Sequence, residues 1–120
     1  MILAAVDDFL FRSKIRATAK QAGVDITFAK TAGELLEQAR SLKPSLVIFD
    51  LNSATLEPIE TIAAMKRDGA LKSIRTLGFV SHVDTARIQA ARAAGADDVM
   101  ARSAFAGQLG DILLTDRTKP

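Results

Sequence analysis

Short apolar runs alternate with amphipathic stretches along the whole chain. The runs Ile2–Val6 and Leu46–Phe49, the latter inside a strand over Ser45–Asp50, are apolar on consecutive residues and do not alternate with polar ones. That is the pattern of strands buried on both faces. Three further runs, Val24–Ala29, Thr76–Val80 and Asp98–Ala101, also read as strands. Between them the period changes to that of a helix. Phe11, Ile15, Ala19 and Ala22 line one face of a helix over Phe9–Ala22, with Gly23 as its stop. Thr31 and Glu34 form a capping box for a second helix that ends near Leu42, before Lys43-Pro44. Pro58 opens a third helix that carries Ile59, Ile62 and Met65 and stops near Asp68-Gly69. Asp84 caps a fourth, Thr85–Ala94, closed by Gly95. Ser103 caps a fifth with Phe105, Leu109, Ile112 and Leu113 on one side, although Gly107 and Gly110 weaken it. Residues Thr115–Pro120 read as a frayed tail of a single domain spanning residues 1–120.

Strict strand–helix alternation implies an α/β fold: a parallel sheet covered by helices on both faces. Right-handed crossovers leave few topologies, of which the doubly wound, flavodoxin-like order 2-1-3-4-5 is the most economical for five strands. Its ligand crevice lies beyond the carboxyl ends of the first and third strands.

Asp7 and Asp8 follow the first strand, and Asp50 closes the third. All three therefore fall at that crevice. Crowded carboxylates repel, and such a cluster calls for a cation or a shared proton. An all-oxygen site suits a hard divalent cation such as Mg²⁺. The competing reading is that the acids only cap helix starts, which accounts for Asp8 but leaves Asp7 and Asp50 without a role.

Composition narrows the chemistry. There is no cysteine and one histidine, His82, so disulfides, thiolate chemistry and multi-histidine metal sites are excluded. The net charge is +2, and the aromatic residues are all phenylalanine. Arg12, Lys14, Arg16 and Lys20 cluster in one helix but read as a solvated face, not as a nucleic-acid patch. No stretch approaches a membrane span and no basic leader is present, so the expectation is a cytoplasmic protein without direct nucleic-acid or membrane contacts. A Walker A loop is missing, the segment after the first strand is neither polar nor Gly-rich as a flavin phosphate loop requires, and Asp7-Asp8-Phe9 does not fit the Asp-x-Asp pattern of aspartyl phosphohydrolases.

Several segments taken together resemble one family. Val6-Asp7-Asp8-Phe9, Phe49-Asp50-Leu51-Asn52, Val80-Ser81 and Ala94-Gly95-Ala96-Asp97 stand in the order and at the strand ends found in response-regulator receiver domains of two-component signalling. The resemblance covers essentially the whole chain. It implies that Asp50 is a phosphoacceptor attacking the phosphohistidine of a histidine kinase or a phosphotransfer protein. It implies Mg²⁺ held directly by Asp8 and Asp50, through water by Asp7, and by the backbone carbonyl of Asn52. Ser81 would hydrogen-bond the phosphoryl group. Output would pass to a downstream protein target, and the chain would not be an enzyme in its own right.

Other positions depart from the family. Arg102 stands where receivers carry a lysine, and Arg is longer, planar and not equivalent. Ser103 replaces a proline that follows a cis bond, so a trans Arg102–Ser103 bond and a reshaped loop are expected. Arg102 then points either into the pocket or outward, and the residues leave both open. Val99 replaces the aromatic switch residue. Ala54 and Pro58 replace the usual proline and glycine beyond the phosphoacceptor, and His82 stands where a small residue is usual. His82 either narrows access to the pocket or is an ordinary loop histidine. These departures keep a second function in view: a pseudo-receiver that binds proteins without being phosphorylated. Phe9 and Leu10, at the start of the first helix, mark the face it shares with the fifth as a contact surface.

Overall fold

The computed structural model describes residues 1–81 and 84–116. Along the chain lie β1 (Ile2–Ala5), α1 (Phe9–Ala22), β2 (Ile26–Phe28), α2 (Ala32–Leu42), β3 (Leu46–Asp50) and α3 (Pro58–Arg67). They are followed by β4 (Arg75–Val80), α4 (Thr85–Ala94), β5 (Asp98–Ala101), α5 (Arg102–Gly107) and α6 (Leu109–Leu114). The strands form one parallel sheet in the order β2-β1-β3-β4-β5, the flavodoxin-like order expected. No helix among the described residues is long and apolar enough to cross a membrane.

Alternate strand residues feed two cores, one on each face of the sheet. Ile2, Ala4, Leu46, Ile48, Leu77 and Phe79 pack with Phe11 and Ile15 of α1 and with Phe105, Leu109 and Leu113 of α5 and α6. Leu3, Ala5, Val47 and Phe49 face the other way, toward Leu35, Ile62, Met65 and Ala91 of α2, α3 and α4. Consecutive apolar residues in β1 and β3 are thus required, because both sides of these strands are covered. Caps form where the pattern places them. Asp8 accepts Phe11 N–H at 3.0 Å, Thr31 accepts Glu34 N–H at 3.0 Å, and Asp84 accepts Arg87 N–H at 3.0 Å. Glu34 reaches back to Lys30 N–H, one residue before the cap.

Two expectations need correction. The fifth helix is two short ones, α5 and α6, broken at Gln108 between the two weakening glycines, neither of which has a neighbour where a Cβ would lie. Ser103 does not cap: β5 passes directly into α5, the cap position falls on Ala101, and Ser103 is an exposed residue inside the first turn. At the start of the tail the Met1 ammonium pairs with Asp116 at 2.9 Å, and Ser45 Oγ also donates to Asp116. Residues 117–120 lie outside the described residues, as does His82.

Candidate functional site

Strand register assembles the site. Ala5 pairs with Phe49 across β1 and β3, so Asp7, Asp8 and Asp50 leave the sheet at one edge. Asp50 pairs with Phe79, and Val80 with Ala101, which places Ser81 and Arg102 at the same edge. All five residues marked in the sequence, together with Asn52, therefore lie at one edge of the sheet.

Asp50 is buried, with 4% of its surface exposed. Burial raises its carboxyl above the ordinary value of 3.8, and the charges of Asp7 and Asp8 push the same way. The Asn52 N–H, which donates to Asp50 Oδ1 at 3.0 Å, and the more distant Arg102 pull against that shift. Asp7 is exposed and is held by two hydroxyls: Ser53 Oγ at 2.6 Å and Thr55 Oγ1 at 2.9 Å both donate to its Oδ2. Ser53 Oγ also accepts Leu56 N–H at 3.1 Å. Ser53 and Thr55 were missed in the sequence. They lie in the polar segment 52–57, and the only available signal was hydroxyls shortly after Asp50.

Arg102 points inward. Its Nη2 donates to Asp8 Oδ2 at 2.5 Å, and its guanidinium lies 4.8 Å from the Phe11 ring centroid and 5.9 Å from that of Phe79. Phe79 in turn stacks on Phe105 at 4.6 Å, so the cation rests on an aromatic floor. With Phe11 N–H on Oδ1 and Arg102 on Oδ2, both oxygens of Asp8 are engaged. The Phe11 hydrogen bond first, then Arg102, hold Asp8 below the ordinary carboxylate value. Beside this pair opens a cavity of about 590 Å³, lined among others by Phe11, Lys14, Ser81 and Ser103.

Two contacts tie the loop after β3 to β4 and α4. Asn52 Oδ1 accepts Ser81 N–H at 2.9 Å. Arg87 Nη1 donates to the Leu51 carbonyl at 2.8 Å while its Nε pairs with Asp84 at 3.0 Å. Arg87 was likewise not marked in the sequence, where it reads as one more helix-surface arginine.

The profile of the response regulator receiver domain matches residues 2–113. The chain belongs to that family. No curated protein sequence matches it. Among solved structures it is similar to a response regulator from Hahella chejuensis, with 22% identity over 98% of this chain and 94% of that one and a TM-score of 0.84. The phosphorylated cyanobacterial phytochrome response regulator RcpA is 21% identical over 93% and 86% of the two chains, with a TM-score of 0.77. The Mn²⁺-bound form of response regulator Rcp1 is 16% identical over 99% and 96%, with a TM-score of 0.78. At these identities the structures speak for a shared fold.

The Arg102–Ser103 bond is trans, since no cis bond occurs among the described residues, and Arg102 opens α5 without a connecting loop. Val99 is half-buried and packs into the core on the α2–α3–α4 side. Ala54 is exposed, and Pro58 is the buried first residue of α3, preceded by Glu57 in the left-handed region at φ 45°. Receivers typically bind Mg²⁺ at the acidic site. Among the described residues no three carboxylates converge as a ready-made metal cluster. The donors nonetheless suit a hard cation: the described hydrogen bonds of Asp7 involve Oδ2 alone and those of Asp50 Oδ1 alone, and Asp50 is a carboxylate that a neighbouring cation would relieve.

Proposed function

We propose that this receiver is a phosphoacceptor of two-component signalling. Its donor is a histidine kinase or a histidine phosphotransfer protein, and its output is contact with a downstream protein in the cytoplasm. The observation that carries the reading is Asp50 itself: a buried carboxylate at a sheet edge that Asp7, Asp8, Ser81 and Arg102 share.

In the proposed reaction a carboxylate oxygen of Asp50 attacks phosphorus in line with the phosphohistidine P–N bond. That bond breaks as the O–P bond forms, the imidazole leaves and takes up a proton, and Asp50 becomes an acyl phosphate. Asn52 N–H holds Oδ1, which leaves Oδ2 as the attacking oxygen. Ser81 and Arg102, which share the Asp50 edge of the sheet and line one cavity with Lys14, would receive the phosphoryl oxygens. Asp7, Asp8, Asp50 and the Asn52 carbonyl would hold Mg²⁺, which supplies charge neutralisation between nucleophile and phosphoryl group. Receivers interact with kinases or phosphotransfer proteins. Phe9 and Leu10, 73% and 79% exposed at the start of α1, are the apolar side chains nearest the site that a partner would cover.

Incubation with acetyl phosphate and Mg²⁺, read by intact mass, tests the reading. One phosphoryl group should add to the parent chain and none to Asp50→Asn. No addition to the parent would instead make the chain a phosphorylation-independent interaction module.

A further inference from the structure

The three acids do not share one solution to their crowding. Asp7 is satisfied by hydroxyls, Asp50, against the cost of its burial, by a backbone N–H, and Asp8 by a cation supplied by the chain itself. We infer that the Arg102 guanidinium is a built-in competitor for the metal at Asp8: the Arg102–Asp8 pair and a divalent cation on Asp8 exclude each other. The inference rests on the receiver reading above and deepens it.

Each Asp8 oxygen already has a partner, and a second cation on the oxygen that carries Arg102 would meet the guanidinium charge at close range. Oδ1 caps α1 through Phe11 N–H at 3.0 Å, and losing that cap would uncover the first turn of the helix. Oδ2 is therefore the oxygen a metal would take, and Arg102 holds it at 2.5 Å. The pair is not a random surface contact. Arg102 is fixed at its base as the first residue of α5, and its plane lies against Phe11 and Phe79. Arginine suits this arrangement because its flat head can stack and donate at once, which a lysine ammonium cannot. Its side chain is also 40% exposed, against 37% for Asp8, so the pair opens to water along one side and the guanidinium has somewhere to go. That side is the cavity shared with Ser81 and Lys14. Metal binding would thus free a cation beside the space where a phosphoryl group arrives, and the metal must come first for Arg102 to serve there.

The test is a Mg²⁺ titration with no phosphodonor, followed by ¹⁵N NMR on the intact chain. In the parent protein the Arg102 side-chain Nε–H signal should shift together with the backbone amides of Asp8 and Asp50. Arg102→Gln should bind Mg²⁺ roughly two- to fivefold more tightly, the ratio that an ion pair so open to water is able to contribute. Arg102→Lys should fall between the two. Arg102 signals that stay fixed while the Asp8 amide moves would overturn the inference, as would equal or weaker binding by Arg102→Gln. If Arg102→Gln does not fold, the parent spectrum alone decides. Unequal fates separate the two readings: equal Mg²⁺ affinity with phosphorylation intact removes only the competition, whereas no Mg²⁺ binding by any variant removes the metal-dependent reading as well.

Discussion

Asn52 Oδ1 accepts the backbone N–H of Ser81 at 2.9 Å, so the loop that follows Asp50 is hydrogen-bonded directly to the end of β4. The same Asn52 donates its own N–H to Asp50 Oδ1. One residue thereby links the proposed nucleophile to the hydroxyl-bearing residue opposite. Arg87 adds a second tie, from α4 to the Leu51 carbonyl.

Removing the first tie should loosen Ser81 without unfolding the sheet. Asn52→Ala is expected to cost about 1 kcal/mol, the net worth of one hydrogen bond. Amide exchange at Ser81 should accelerate while that of Phe79 in β4 stays slow. Unchanged exchange at Ser81 would show that the strand end, not Asn52, holds it.

Stability of the metal-free protein should depend on pH in two opposite ways. Burial, aided by Asp7 and Asp8, raises the Asp50 pKa above 3.8, so above 3.8 the folded state binds more protons than the unfolded one. Stability from this group is present below 3.8 and lost as pH rises through the elevated value. Asp8 is shifted the other way by Phe11 N–H and Arg102, so its contribution is present above 3.8 and lost in stronger acid. Asp50→Asn should remove the first effect and keep the second. Denaturant melts from acid to neutral pH, without divalent cations, measure both. Identical slopes above 3.8 in the parent and Asp50→Asn would contradict the assignment.

Gly78 on β4 is required by close packing. A Cβ there would stand 2.8 Å from Leu51 Cδ1, and Leu51 is fully buried beside Asp50. Gly78→Ala should therefore cost about 1–3 kcal/mol, the usual penalty of overpacking. It should also perturb the Asn52 and Asp50 amides, because Leu51 is their chain neighbour. A melting temperature equal to that of the parent would show that Leu51 has room to shift.

Phosphorylation should leave β5 and α4 less altered than it would in a receiver with an aromatic ring at position 99. A phosphoryl group shifts a two-state equilibrium only by its differential contacts with the two states. Val99 is already packed in the core and has no ring to relocate, and Arg87 pins α4 to the Leu51 carbonyl. Chemical shifts of residues 84–95 and 98–105, with and without a bound beryllofluoride mimic, check this. A concerted change across both segments would contradict it.

Much of this arrangement was legible before any coordinates. The doubly covered strands announced themselves because burial on both faces demands consecutive apolar residues. Asp8 and Asp84 were readable as caps because capping is local. The direction of Arg102 was not readable, since it depends on two rings, Phe11 and Phe79, that are distant in sequence. Ser103 was misread for a related reason: Ser before an apolar pattern is a good local cap, but β5 delivers the chain to the helix two residues earlier. The hydroxyls of Ser53 and Thr55 escaped notice because only the fold brings their loop over Asp7. The break at Gln108 was half visible in Gly107 and Gly110, which lower helix propensity without saying which bond gives way.

The central claim is that Asp50 accepts a phosphoryl group, and borohydride trapping tests it most directly. Reduction of an aspartyl phosphate yields homoserine, which peptide mass spectrometry locates. After treatment with acetyl phosphate and Mg²⁺, homoserine should appear at position 50 and at no other carboxylate. Its absence at position 50, or its appearance at Asp7 or Asp8 instead, would contradict the account.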